Sequence, residues 1–185
     1  MRFNKHSDLE GKHAFLSPSQ YHWIRYDDQK LEARYWSYKA AARGTALHDF
    51  AKNAILLRIK LSKANATMSM YVSDALHYNM KTEQSLRYSD NCFGTADAIS
   101  FRRNTLRIHD LKTGVGKTSF EQLRVYAAIF CLEYDINPNN IEMNFRIYQN
   151  GEVEIEDGDP NQILEIMEKI VYADEYIEKL KEGGL

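Results

Sequence analysis

The chain has 185 residues, enough for one domain with a proper core. Its 44% hydrophobic and 27% charged residues are ordinary for a soluble globular protein. No apolar run approaches the roughly 20 residues of a membrane span, and the opening stretch MRFNKHSDLEGKH lacks the apolar centre of a signal peptide, so the expected compartment is the cytoplasm. A net charge of −2 argues against a tight, non-specific DNA coat protein. It leaves room for an enzyme that meets a polyanion at one local site. Residues 81–134 carry eight Lys/Arg against six Asp/Glu, whereas residues 152–185 carry eleven acidic residues against three lysines. The middle is therefore the stretch suited to face a polyanion. The two cysteines, Cys92 and Cys131, form no metal-ligand spacing and no disulfide framework.

Residues 1–16 read as an irregular lead-in. Ser17 and Pro18 then supply a cap and a first-turn proline, predicting a helix whose Tyr21, Trp23, Ile24 and Tyr26 are most simply core, with base stacking as the alternative for exposed rings. A second helix is expected over about 29–61, with Leu47, Ala51, Ala54 and Ile55 at helical spacing and a break near Gly44. His48 lies beside that stripe, one turn after Gly44. By itself it is either a hydrogen-bonded core histidine or a ligand. A third helix is expected over 65–80, with Met68, Tyr71, Val72 and Leu76 on one side.

Strand-like runs follow at 82–88, 92–101 and 105–112, the last two joined by a tight turn at Arg102-Arg103-Asn104. Thr118-x-x-Glu121 has the capping-box pattern and opens a helix over 119–134. Asn137-Pro138 breaks the chain. Residues 141–149 and 152–156 form a hairpin around Asn150-Gly151. A last helix over about 160–181 buries Ile163, Ile166, Met167, Ile170 and Ile177. The order reads as one α/β domain with a mixed sheet flanked by helices.

The chemistry concentrates in residues 93–126. Strand periodicity places Leu106, Ile108, Asp110 and Lys112 on one face, with Asp110 and Lys112 about 6–7 Å apart at the backbone. In the preceding strand Asp97 shares a face with Thr95 and Ile99, while Gly94, Ala96, Ala98 and Ser100 make the opposite face small enough for close helix packing. Two carboxylates converging at strand ends repel unless something offsets their charge, and a divalent cation does so economically. A lysine beside it can orient or help deprotonate an attacking water and offset developing negative charge.

These residues resemble the PD-(D/E)XK nucleases, in particular the RecB-type nuclease domain of bacterial and phage exonucleases. The likeness runs through Leu16-Ser17-Pro18-Ser19, Gly44-x-x-x-His48, Gly94-Thr95-Ala96-Asp97-Ala98-Ile99, Asp110-Leu111-Lys112-Thr113-Gly114 and Gln122-x-x-x-Tyr126. Ala96 stands where the family's name has proline, at a position that varies. The resemblance implies a restriction-endonuclease-like αβββαβ core over about 16–157, followed by the helix at 160–182. It implies a metal-dependent DNase, an exonuclease of recombination, repair or phage replication, leaving 5′-phosphate and 3′-hydroxyl ends. His48, Asp97, Asp110 and the Leu111 carbonyl become the ligands of Mg²⁺ or Mn²⁺, with Lys112 catalytic. Gln122 and Tyr126, one helical turn apart, contact DNA or support the site. A bound His48 is neutral, so activity should fall at acidic pH. The implied partners are DNA and a recombination or replication protein, in the host cytoplasm if phage-encoded, and the resemblance allows a homo-oligomer. The iron–sulfur branch of the family needs four cysteine ligands where this chain has two, so no cluster is expected.

Gly116-Lys117-Thr118 matches the end of a Walker A loop, but the glycine required five places before Gly116 is Leu111, so no nucleotide cofactor is expected. The loop from Thr113 to Thr118 is better suited to offer backbone N–H groups and Lys117 to a DNA phosphate at the start of a helix. Two rival readings remain: a nuclease-like module that binds DNA or protein without cutting, and a metal-dependent hydrolase of a non-nucleic-acid phosphate.

Overall fold

The computed structural model describes residues 14–62 and 65–183. The lead-in expected over 1–16 falls mostly outside them. The chain divides into two compact units, Met1–Ala46 and Leu47–Leu185.

The first unit holds a 3-10 helix, Pro18–Arg25, and the first part of α1, Asp28–Leu56. Ser17 and Pro18 do open a helix, but it is 3-10 rather than α, with Gln20 outside helical geometry. None of its residues is buried, so its aromatics are not core: Tyr21 is 51% exposed and Ile24 62%. Helix α1 runs unbroken through Gly44 and ends at Leu56, short of the expected 61.

The second unit is a five-stranded sheet with helices on both faces. Its elements are α2 (Ala66–His77), β1 (Lys81–Arg87), β2 (Phe93–Arg102), β3 (Thr105–Leu111), α3 (Glu121–Glu133), β4 (Glu142–Gln149), β5 (Glu152–Asp157) and α4 (Pro160–Gly183). The strands lie in sequence order, antiparallel except for β3 beside β4, which are parallel with α3 as their crossover. Local chemistry accounts for the boundaries. Asn65 caps α2 by accepting from the Met68 amide. Arg103 and Asn104 both take positive φ in the two-residue turn between β2 and β3. Asn150 (φ 51°) and Gly151 (φ 81°) do the same between β4 and β5, the mirror-image turn that matches strand twist. The capping box at α3 does not form. The Thr118 hydroxyl donates instead to Glu154 of β5 at 2.8 Å, and Phe120 takes the cap position with no side-chain bond.

Two cores sit on the two faces. Against α3 and α4 lie Leu106, Ile108, Phe145 and Ile147, with Leu123, Ala127 and Ile163 from the helices. On the other face, Ala98, Leu111 and Tyr148 meet Tyr71, Val72 and Ala75 of α2 and Ala51, Ala54 and Ile55 of α1. In α4, Ile163 is fully buried and Ile166, Met167 and Ile170 pack at its edge, but Ile177 is exposed, because the last turns of α4 run past the sheet-facing core. Among the described residues, no helix is long and apolar enough to cross a membrane.

Candidate metal centre

Across three strands, acidic residues fall into one row. The β1–β2 ladder pairs Thr82 with Ala98 and Gln84 with Ala96, leaving Glu83 opposite Asp97 outside the ladder. The β2–β3 ladder begins at Ala98 and His109, so the same register continued by one residue puts Asp97 opposite Asp110. Like charges directly across a sheet are destabilising.

The backbone is bent at this row. Glu83 has φ 50°, a left-handed conformation that is uncommon for a residue with a side chain. In β2 the two-residue alternation fails at Asp97: Ala96 packs into the α3 core, whereas Ala98 packs into the α2 core. The small face expected over Gly94, Ala96 and Ala98 is therefore shared between two helices. At its start Gly94 admits the Tyr126 ring of α3, since a Cβ there would stand 3.0 Å from Tyr126 Cε1.

His48 meets the row from α1, with Nδ1 3.4 Å from Asp97 Oδ2. One donor atom each from His48, Glu83 and Asp97 can be chosen so that all lie within 4.8 Å of one another, the spacing of ligands around a single ion. A nitrogen and carboxylate oxygens are donors suited to a first-row divalent metal such as Mn²⁺, and the carboxylates suit Mg²⁺. Nothing in the sequence marks Glu83. It lies in a polar strand without an apolar alternation to mark it, and only the register against β2 reveals its neighbour.

The expected residues divide around this cluster. Asp97 Oδ2 accepts from the Leu111 amide at 3.0 Å. Burial pushes the Asp97 carboxyl up to about 6, with the charges of Asp110 and Glu83 acting the same way, against the lowering effect of the Leu111 N–H and His48. Asp110 lies in no three-donor group with His48 and Asp97. Instead it holds Lys112, whose Nζ is 3.0 Å from Oδ2 and 3.2 Å from Oδ1. The aligned hydrogen bond goes to Oδ1. Oδ2 is buried and accepts no aligned hydrogen bond among the described residues, its charge met by the Lys112 ammonium alone. The donor set of His48, Glu83 and Asp97 fits a divalent ion.

Lys112 is fixed from a second side by Gln122 of α3, whose Oε1 accepts from Nζ at 3.0 Å. Tyr126, one turn further, donates to the Thr95 carbonyl at 2.7 Å. Gln122 and Tyr126 therefore brace the lysine and the Asp97 strand. Thr113 and Lys117 stand exposed on the loop, which Gln149 ties down by donating to the carbonyls of Gly114 and Gly116 at 2.6 and 3.0 Å.

Behind the row, His109 is fully buried. Tyr148 donates to Asp74 at 2.6 Å and lies 3.2 Å from His109 Nδ1, while Arg146 bonds Asp74 at 2.6 Å. Because the Tyr148 proton goes to Asp74, its oxygen accepts from His109 Nδ1. Nε2 is then left without a partner among the described residues. Burial, with Arg146 beside it, pushes the His109 pKa down to about 3, so the ring is neutral.

The family described as "Protein of unknown function (DUF2800)" matches residues 79–177, more than half of the chain, and the chain belongs to that family. No curated protein matches it. The matched stretch contains Glu83, Asp97, Asp110, Lys112, Gln122 and Tyr126, whereas His48 lies before it.

Proposed function

We propose that this protein is a divalent-metal-dependent deoxyribonuclease of the PD-(D/E)XK kind, with a RecB-type, restriction-endonuclease-like core and exonuclease action on DNA. The observation that carries it is the row Glu83–Asp97–Asp110 across three strands, met by His48 on one side and by a doubly held Lys112 on the other. The order α1, α2, β1–β3, α3, β4 supports the αβββαβ reading with α2 as an added helix, because α3 returns the chain to a strand parallel to β3.

His48, Glu83 and Asp97 would hold Mg²⁺ or Mn²⁺, with the Leu111 carbonyl as a further donor. When bound, the ion supplies Lewis-acid activation of a water and neutralises charge on the phosphate. The chain's own residues do the rest. The Leu111 N–H keeps Asp97 in its orientation. Asp110 and Gln122 leave the Lys112 ammonium few alternative positions, so it can offset charge that develops on a non-bridging phosphate oxygen. Tyr126 braces the Asp97 strand through Thr95.

The test is cleavage of linear, circular and single-stranded DNA in Mg²⁺, Mn²⁺ or EDTA, with Lys112→Ala and Asp110→Ala beside the parent. Cutting that needs metal and disappears in both variants supports the proposal. DNA binding by the parent with no cleavage in either metal would replace it with the non-catalytic module. Resistance of circular DNA identifies exonuclease action.

A further inference from the structure

The first unit contains seven aromatic residues between 14 and 46, yet no described residue of that stretch is buried. Aromatic rings left out of a core call for another use. Four of them, Phe15, Trp23, Tyr26 and Tyr38, line a groove of about 580 Å³ with Arg34 and His22, and none of the described residues in its lining is acidic. The rings are arranged in mutual contact. Phe15 lies 5.5 Å from both Tyr35 and Tyr38, centroid to centroid. Cations stand over the same patch: Lys30 Nζ is 4.6 Å from the Tyr26 centroid and Lys39 Nζ 5.9 Å from that of Tyr35. Trp23 is held by its Nε1–H, which donates to the Ser17 carbonyl at 3.1 Å, so the indole is oriented before anything binds.

Tyr38 is exposed and Phe15, Trp23 and Tyr26 are half-buried, and solvent-accessible rings interleaved with cations are the chemistry that holds single-stranded nucleic acid: bases stack on the rings and phosphates meet the charges. Purely apolar partners would gain nothing from Arg34, and a cationic partner would be repelled. We propose that this groove is a subsite for one unpaired nucleotide of single-stranded DNA, its base stacked on Trp23 or Tyr38 and its phosphate paired with Arg34. The choice of DNA rests on the nuclease proposal; the stacking site itself does not.

Binding is read in EDTA on the full chain, so that no cleavage or metal is involved. In a Trp36→Phe background Trp23 is the remaining tryptophan, and its fluorescence reports directly on the groove. Titration with a (dT)12 oligonucleotide should quench it, and blunt duplex should not. Trp23→Ala should weaken oligonucleotide binding by about five- to a hundredfold, the range of losing one stacked base. Arg34→Gln should weaken it less and lower the slope of log affinity against log salt by about one. Because Arg34 is exposed and its side chain makes no hydrogen bond or ion pair among the described residues, the second variant guards against misfolding of the first. Absence of quenching, or unchanged affinity in both variants, overturns the subsite. So does a concentration-dependent dimer that Trp23→Ala dissolves, since a second copy would then fill the groove. Metal-dependent cleavage without Trp23 quenching leaves the nuclease proposal standing and removes this one; quenching without cleavage does the reverse.

Discussion

Glu83→Gln separates the metal-centre reading from a structural one by changing the sign of an effect. Without metal, Glu83 and Asp97 are like charges whose oxygens can lie within 4.8 Å of one another. Coulomb's law gives about 3.5 kcal/mol at that separation for an effective dielectric of about 20 and about 1 kcal/mol in water. Glu83 is exposed, so the lower figure applies. Replacing it with the neutral isostere should therefore stabilise the apo protein by about 1 kcal/mol, or about 2–4 °C in melting temperature for a chain of this size. With Mn²⁺ at a hundred times its Kd the parent gains about 2.7 kcal/mol, and a variant binding tenfold more weakly gains only about 1.4 kcal/mol. The variant's lead in EDTA should vanish in Mn²⁺. Thermal scans near neutral to mildly alkaline pH, where Asp97 is ionised, read both numbers, and titration calorimetry with Mn²⁺ reads the affinity directly. If Glu83→Gln melts below the parent in EDTA, or gains as much from Mn²⁺, then Glu83 serves the strand and not an ion.

Lys112→Ala should abolish cleavage while leaving Mn²⁺ affinity within about threefold, because the lysine touches Asp110 and Gln122 rather than the three-donor cluster; calorimetry beside a cleavage assay checks both. Gly94→Ala should cost about 1–3 kcal/mol by urea unfolding, since its Cβ would meet the Tyr126 ring at 3.0 Å, and pairing it with Tyr126→Ala should recover part of the loss. Stability against pH carries two opposing contributions. His109 has its folded pKa depressed to about 3 from 6.5, so the unfolded state binds the proton first and stability is lost as pH falls between those values. Asp97 is raised to about 6 from 3.8, so the folded state binds the proton first and stability is gained as pH falls over that window. The apo parent should be nearly flat from about pH 6 to 4 and fall below it, whereas His109→Phe should grow more stable across the same interval. Denaturant midpoints at stepped pH decide this, and a parent-like profile in the variant refutes it.

Most of the fold was legible because its signals are local. Asn150-Gly151 marks its hairpin by the φ each residue tolerates, and the parallel β3–β4 pair follows from a helix lying between two strands. Asp110 and Lys112 could be placed together at the end of β3 by period-two counting, whereas Asp97 lies midway along β2, where that alternation breaks. What escaped was set by register or by distant partners. Glu83 joins the site only because β1 pairs with β2 in one particular alignment. Thr118 and Glu121 have a capping-box spacing, but Glu154, far along the chain, takes the Thr118 hydroxyl. Tyr21 and Ile24 have the residue types of a core, and nothing in their spacing says that the first unit leaves them at the surface.

The bend at Glu83 also matters for what the molecule avoids. β1 is an edge of the sheet, and an open edge invites strands from other chains to add on. A left-handed residue three positions into β1 turns the backbone out of the regular ladder, so an incoming strand would find its hydrogen-bonding row interrupted midway. The lysine at the start of β1 and the glutamate at the bend add charges that such a strand would have to bury. The same distortion that brings a carboxylate to the candidate metal centre thus guards the sheet against edge-to-edge aggregation.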